Sequence, residues 1–160
     1  MKLYHGSLEE IRNPRILLPT RTLDYGMGFY TTTSYEQAEQ WVKRRQKRTA
    51  SVGYVNVYQL DEQASQDLRV LWFDKPDEAW LDFVMSNRES LEFQHDYDLV
   101  YGPVANDRVY AAFALYEGGL LDKEGLIREL KTYELIDQLL FHTERSLRYL
   151  DFVTSQKIGL

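Results

Sequence analysis

The sequence predicts an α+β fold with a split, mostly antiparallel β-sheet and flanking helices, and three observations lead there. Runs of β-branched and aromatic residues recur along the chain, separated by stretches whose apolar residues fall at helical spacing. These elements are interspersed without the strict strand–helix–strand rhythm of a doubly wound parallel sheet. No internal repeat, low-complexity tract or Ser/Gly-rich linker interrupts the 160 residues, so one domain spanning 1–160 is expected.

Leu3 to His5 is read as a short opening strand, and Ile11 to Tyr25, with Pro14 and Pro19, as an irregular loop. Gly26-Met27-Gly28 then delivers the chain into a β-prone run, Phe29 to Thr33. Ser34 followed by Gln37 is a capping-box signature, and Tyr35, Ala38, Trp41 and Val42 recur at helical spacing behind it. Tyr54 to Tyr58 alternates as a half-buried strand would, and Leu68 to Phe73 is a further strand. A helix starts at about Pro76, with Asp77 and Glu78 suiting its dipole and Ala79, Trp80, Phe83 and Val84 forming its buried stripe. Tyr97 to Tyr101 is a strand stopped by Gly102-Pro103. Asn106 or Asp107 can cap a helix through Tyr116, ended by Gly118-Gly119, and Asp122 can cap another through Lys131. Gln138 to His142 is strand-like, Thr143 can cap a short helix with Glu144 in its first turn, and Asp151 to Ile158 is a final strand.

Composition narrows the function classes. With 44% apolar and 28% charged residues, collagen, coiled coil and disorder are excluded. A chain of this length buries roughly 70% of its unfolded surface, enough for a core and a cleft without metal or disulfide staples. There is no cysteine, so thiol nucleophiles and Cys-based metal sites are excluded as well. No apolar run reaches the roughly 20 residues of a membrane span, and Met1 to His5 lacks the apolar stretch of a signal peptide. A cytoplasmic protein with no membrane partner is expected. The net charge of −6 and the pI near 5.1 provide no global attraction for nucleic acid. Lys43, Arg44, Arg45, Lys47 and Arg48 form a local exception, read first as cations complementing a helix C-terminus and second as a phosphate or nucleic-acid contact.

Familiar chemical motifs are mostly missing. Gly26-x-Gly28 lacks the third glycine and the preceding strand of a dinucleotide loop, and no Walker loop occurs. His95, Asp96 and Asp98 are read as an exposed charged turn rather than metal ligands, so no metal is expected.

Two segments carry more information: Tyr4-His5-Gly6-Ser7 on the first strand, and Gly26-Met27-Gly28-Phe29-Tyr30 at the second, with Trp41 eleven residues after Tyr30. In these the chain resembles the ADP-ribosyltransferase superfamily, in the branch that includes diphtheria toxin and the poly(ADP-ribose) polymerases. That branch has aromatic-His-Gly-Ser/Thr on its first strand, a proline-containing loop, then Gly-x-Gly-aromatic-Tyr and a later aromatic. More narrowly, the chain looks like a bacterial family of short ADP-ribosyltransferase-like domains sharing the Asp98 to Asp107 and Gln138 to Glu144 segments.

The resemblance implies a NAD-binding cleft, NAD as co-substrate, and mono-ADP-ribosyl transfer to a macromolecular acceptor, with protein ahead of nucleic acid. It also extends to a toxin of a toxin–antitoxin pair with a small antitoxin-like protein partner. The residue types suit that chemistry. Cleaving the nicotinamide–ribose bond passes through an oxocarbenium-like transition state, so the ring, its carboxamide and the sugar hydroxyls must all be held. Tyr30 and Trp41 offer aromatic faces to a flat cationic ring, and Thr31 joins the binding set beside Tyr30. The Gly6 backbone offers a donor and an acceptor to the carboxamide, and the Ser7 hydroxyl a third bond. By resemblance, His5 contacts the nicotinamide ribose, and Arg15 lies toward the adenosine side.

The family's late-strand glutamate has no counterpart, since Gln138 stands at the matching position. A neutral amide can bond a ribose hydroxyl but cannot act as a general base. Asp137 and Glu144 are the nearest carboxylates, and they are read as a strand-entry residue and a first-turn helix acid. The departure keeps two alternatives open: a NAD glycohydrolase, and a NAD- or ADP-ribose-binding module with little turnover.

Overall fold

The computed structural model describes residues 1–16, 25–49, 51–90, 95–104 and 106–159. The elements follow in the order β1 (Lys2–Ser7), β2 (Phe29–Thr32), α1 (Tyr35–Thr49), β3 (Gly53–Leu60), α2 (Ala64–Asp67), β4 (Val70–Trp72), α3 (Glu78–Glu89), β5 (Leu99–Pro103), α4 (Asp107–Glu117), α5 (Lys123–Leu130), β6 (Asp137–Phe141), α6 (Glu144–Leu147) and β7 (Leu150–Ile158). The seven strands join in the order β4-β5-β6-β2-β1-β3-β7. Every neighbouring pair is antiparallel except β4 with β5, so the fold is α+β on a mixed sheet.

Local signals account for the helix starts. Asp77, Asn106, Asp122 and Thr143 each accept a backbone N–H of the following turn, from Trp80, Val109, Gly125 and Ser146 respectively. Ser34 accepts the Gln37 N–H at 3.2 Å, but the Ser34 N–H goes to Thr32 Oγ1 rather than back to Gln37. The capping box is therefore half formed, because the preceding strand supplies the closer acceptor. The α3 helix begins one residue past its Asp77 cap, which leaves Pro76 outside it.

The sheet is covered on both faces. Strand alternation sends Val100 and its register partner Leu140 into a core with Trp80, Phe83, Phe113 and Leu126 of α3, α4 and α5. Leu99 and its partner Phe141 go to the other face, against Leu3, Phe29, Tyr58 and Leu147. A third, smaller cluster packs Ala38 and Val42 of α1 on Val55. Covering both faces overturns the half-buried reading of Tyr54 to Tyr58, since Val55, Asn56, Val57 and Tyr58 are all buried. Gly102-Pro103 does not stop β5 but continues it, pairing with Gln138 and Asp137. The strand expected from Leu68 shortens to three residues, and α2 was not expected, as it has no side-chain cap to announce it. Of the loop expected over 11–25, residues 17–24 lie outside the described residues, as does 105 in the Asp98 to Asp107 segment.

Candidate functional site

The centre of the sheet opens between β1 and β2. These strands share one register pair, Tyr4 with Thr32, and from His5 onward β1 pairs only with β3. The His5 side chain fills part of the space, its Nδ1 lying 2.5 Å from the Tyr30 carbonyl oxygen and its ring stacked 4.3 Å from Phe29. A carbonyl only accepts, so Nδ1 carries the proton and, in the neutral ring, Nε2 remains an acceptor. Burial pushes the His5 pKa below its ordinary value, against the upward pull of the Tyr30 bond, which favours that neutral form.

A cavity of about 350 Å³ lies beside α1 over the central strands, lined by His5, Gly6, Tyr30, Thr31, Trp41 and Gln138. Six of the sequence-predicted residues meet there. Gln37, Val104 and Tyr4 also line it, and no motif had singled them out for this role. Trp41 stands 40% exposed on α1 with the Arg45 guanidinium over its ring. Gln138 is buried on β6, between Thr32 and Gly102, and its amide makes no hydrogen bond among the described residues.

Tyr30 is held by its hydroxyl, which donates to the Gly26 carbonyl at 2.7 Å and accepts the Tyr25 N–H at 3.3 Å. Gly26 makes that possible with a φ of +81°, a left-handed conformation costly for other residues. Gly6 has a different reason for its identity than ligand approach. A Cβ there would stand 2.5 Å from the Ala38 carbonyl oxygen, so glycine lets α1 settle on β1.

A second cavity, of about 530 Å³, shares two lining residues with the first, His5 and Tyr30. Arg15 lines this second space together with Glu9, Glu10 and Arg12, of which Arg12 and Glu10 form an ion pair at 2.6 Å. The backbone of three of its lining residues is tied by Asn56, whose Oδ1 accepts the Ile11 N–H and whose Nδ2 donates to the His5 and Glu9 carbonyls. An asparagine inside a β-branched run was the available signal for this role. Ser7 lies at the end of β1, where its Oγ accepts the Glu9 N–H at 3.1 Å, and it lines neither cavity.

Neither nearby carboxylate reaches the first cavity's lining. Asp137 accepts the Tyr101 hydroxyl at 2.7 Å, and Glu144 accepts the Ile16 N–H at 3.2 Å. Asp98 is buried. Burial alone would raise its pKa, but bonds from Arg145, the Arg69 N–H and Thr143 outweigh that and hold it below the usual carboxylate range. Among the described residues no group of three or more His, Asp or Glu side chains could hold a metal ion, and no helix is long and apolar enough to cross a membrane.

No curated protein and no solved structure matches the chain. One family model does match, over residues 1–152, and its description reads protein of unknown function (DUF3990).

Proposed function

The chain belongs to the DUF3990 family, and within that family we propose that it is a NAD-dependent mono-ADP-ribosyltransferase. The observation that carries this reading is the one cavity lined together by His5, Gly6, Tyr30, Thr31, Trp41 and Gln138. Five of these residues follow from two short motifs and one spacing and Gln138 from its late-strand position, and they converge from β1, β2, α1 and β6. A second space that shares His5 and Tyr30 with the first and has Arg15 in its lining suits the two-part shape of a dinucleotide, with a guanidinium available to its diphosphate.

In this reading Tyr30 and Trp41 flank the nicotinamide ring. The Gly6 backbone meets the carboxamide, and His5 Nε2 accepts from a ribose hydroxyl. The bond from C1′ to the nicotinamide nitrogen breaks, and nicotinamide leaves with the bonding pair. The acceptor's nucleophilic atom bonds C1′ and releases its proton to water. Gln138 orients sugar or acceptor by hydrogen bonding without taking that proton. A cytoplasmic setting and a small antitoxin-like protein partner belong to the same proposal. The neutral amide at Gln138 favours a second reading, a NAD glycohydrolase or a NAD-binding module of low turnover.

The test is incubation of the purified chain with NAD labelled on its adenylate part in a lysate, read for macromolecular label and released nicotinamide. Label that is lost in His5→Ala and Tyr30→Ala is the expected result, and unchanged transfer in both variants would sink the assignment. Nicotinamide release without label indicates the glycohydrolase, and NAD binding with neither signal indicates the binding module. Gln138→Glu is expected to raise turnover by at least about tenfold, because it places a charge beside the developing cation.

A further inference from the structure

The exposed side of α1 carries a feature of which the proposed chemistry uses only Trp41. At about 100° per residue, Gln37, Trp41, Arg44, Arg45 and Arg48 fall within one sector of the helix about 100° wide. Gln37 and Trp41 line the first cavity, so the stripe begins at the cavity and continues as guanidiniums toward the helix C-terminus. All three arginines are exposed. The carboxylates of α1, Glu36 and Glu39, lie outside the sector, and Glu39 pairs with Lys43 at 2.6 Å. Among the described residues neither Arg44 nor Arg48 makes an ion pair. The helix dipole accounts for cations in the last turn, where Lys47 and Arg48 stand, but not for Arg44 and Arg45 before it. Against a net charge of −6 the stripe is a local inversion of sign.

We infer that this stripe docks a single-stranded nucleic acid, with phosphates on Arg44 and Arg48 and, at the cavity mouth, a base stacked on the Arg45 guanidinium that lies over Trp41, whose other face is left to nicotinamide. An acidic protein segment would match the charge alone. The exposed indole, with the Arg45 guanidinium 5.3 Å from its centroid, adds the stacking platform that bases use. A duplex would have to unpair to bring a base there. Resting on the ADP-ribosyl transfer reading, the docked strand is also the acceptor: a base nitrogen or hydroxyl attacks C1′, nicotinamide leaves with the bonding pair, and the acceptor proton passes to water.

The experiment titrates the full chain against fluorescein-labelled oligo-dT and oligo-rU of about 12 nucleotides, read by anisotropy as salt rises from about 50 to 200 mM. With two phosphate contacts on a single strand, affinity is expected to fall about sevenfold across that range. The double variant Arg44→Glu, Arg48→Glu is expected to lose at least about tenfold and to flatten the salt dependence, and Trp41→Ala to lose affinity with the salt slope retained. Absence of binding, binding that the double variant retains, or equal displacement by a poly-glutamate peptide would overturn the proposal. Label from NAD on the oligonucleotide supports the acceptor step, and label confined to protein overturns it. Oligonucleotide binding without nicotinamide release overturns the ADP-ribosyl reading and leaves the docking surface standing.

Discussion

Tyr30 shows how much of the site depends on a single hydroxyl. Its two bonds, to the Gly26 carbonyl and from the Tyr25 N–H, join the strand to the turn that precedes it. Tyr30→Phe keeps the ring and removes both. The expected result is a loss of about 1 kcal/mol in urea unfolding, and of about tenfold in nicotinamide release as the ring loses its fixed position. Unchanged values in both measurements would show that core packing alone holds the ring. At this scale the sequence was informative where chemistry repeats in a short motif, as at His5 and Tyr30. It was silent about Val104 and Gln37, which become lining residues only because separate elements bring them to the same space.

Helix α1 is the element on which the site depends most, since it contributes Gln37, Ala38 and Trp41 to the cavity. Its seat is set by glycines. Besides the Gly6 contact, a Cβ on Gly53 would stand 2.2 Å from Val42 Cγ1. Gly6→Ala must push the helix away from backbone rather than from a flexible side chain, and a cost of about 1–3 kcal/mol is expected from overpacking, measured by thermal or urea unfolding. NAD binding should weaken in the same variant, because Ala38 and Trp41 move with the helix. A variant of wild-type stability would mean that α1 can shift without loss. Most helix starts were legible because caps are local chemistry, as Asp77, Asn106, Asp122 and Thr143 illustrate. The continuation of β5 through Gly102-Pro103 was not, because it depends on the register with β6.

For the whole molecule, acid stability follows from buried histidine. The His142 Nδ1 donates to the Met27 carbonyl at 2.7 Å, while its Nε2 is buried without a hydrogen-bond partner among the described residues. Burial pushes its pKa from 6.5 down to about 4, with nearby His95 acting in the same direction against the Met27 bond. The unfolded chain therefore binds this proton more tightly than the folded chain. The stability contribution is complete above about pH 6.5 and is lost as pH falls from there to about 4. His5 and His95, both lowered by burial, have the same sign. Asp98 is lowered as well, but its contribution is lost only below its ordinary value of 3.8. The melting temperature is thus expected to drop between about pH 6.5 and 4, and less steeply in His142→Asn, which keeps a donor for Met27 but cannot titrate. Parallel curves for the two proteins would exclude His142 as the source. By itself the sequence determined the fold class, most element positions and the main residues of the cavity, because caps, periodicity and short motifs act over a few residues. Only the tertiary structure decided the parting of β1 from β2, the burial of β3 on both faces and the glycine seat of α1. Each of those depends on which surfaces meet across large separations along the chain, and local residue spacing carries no record of that.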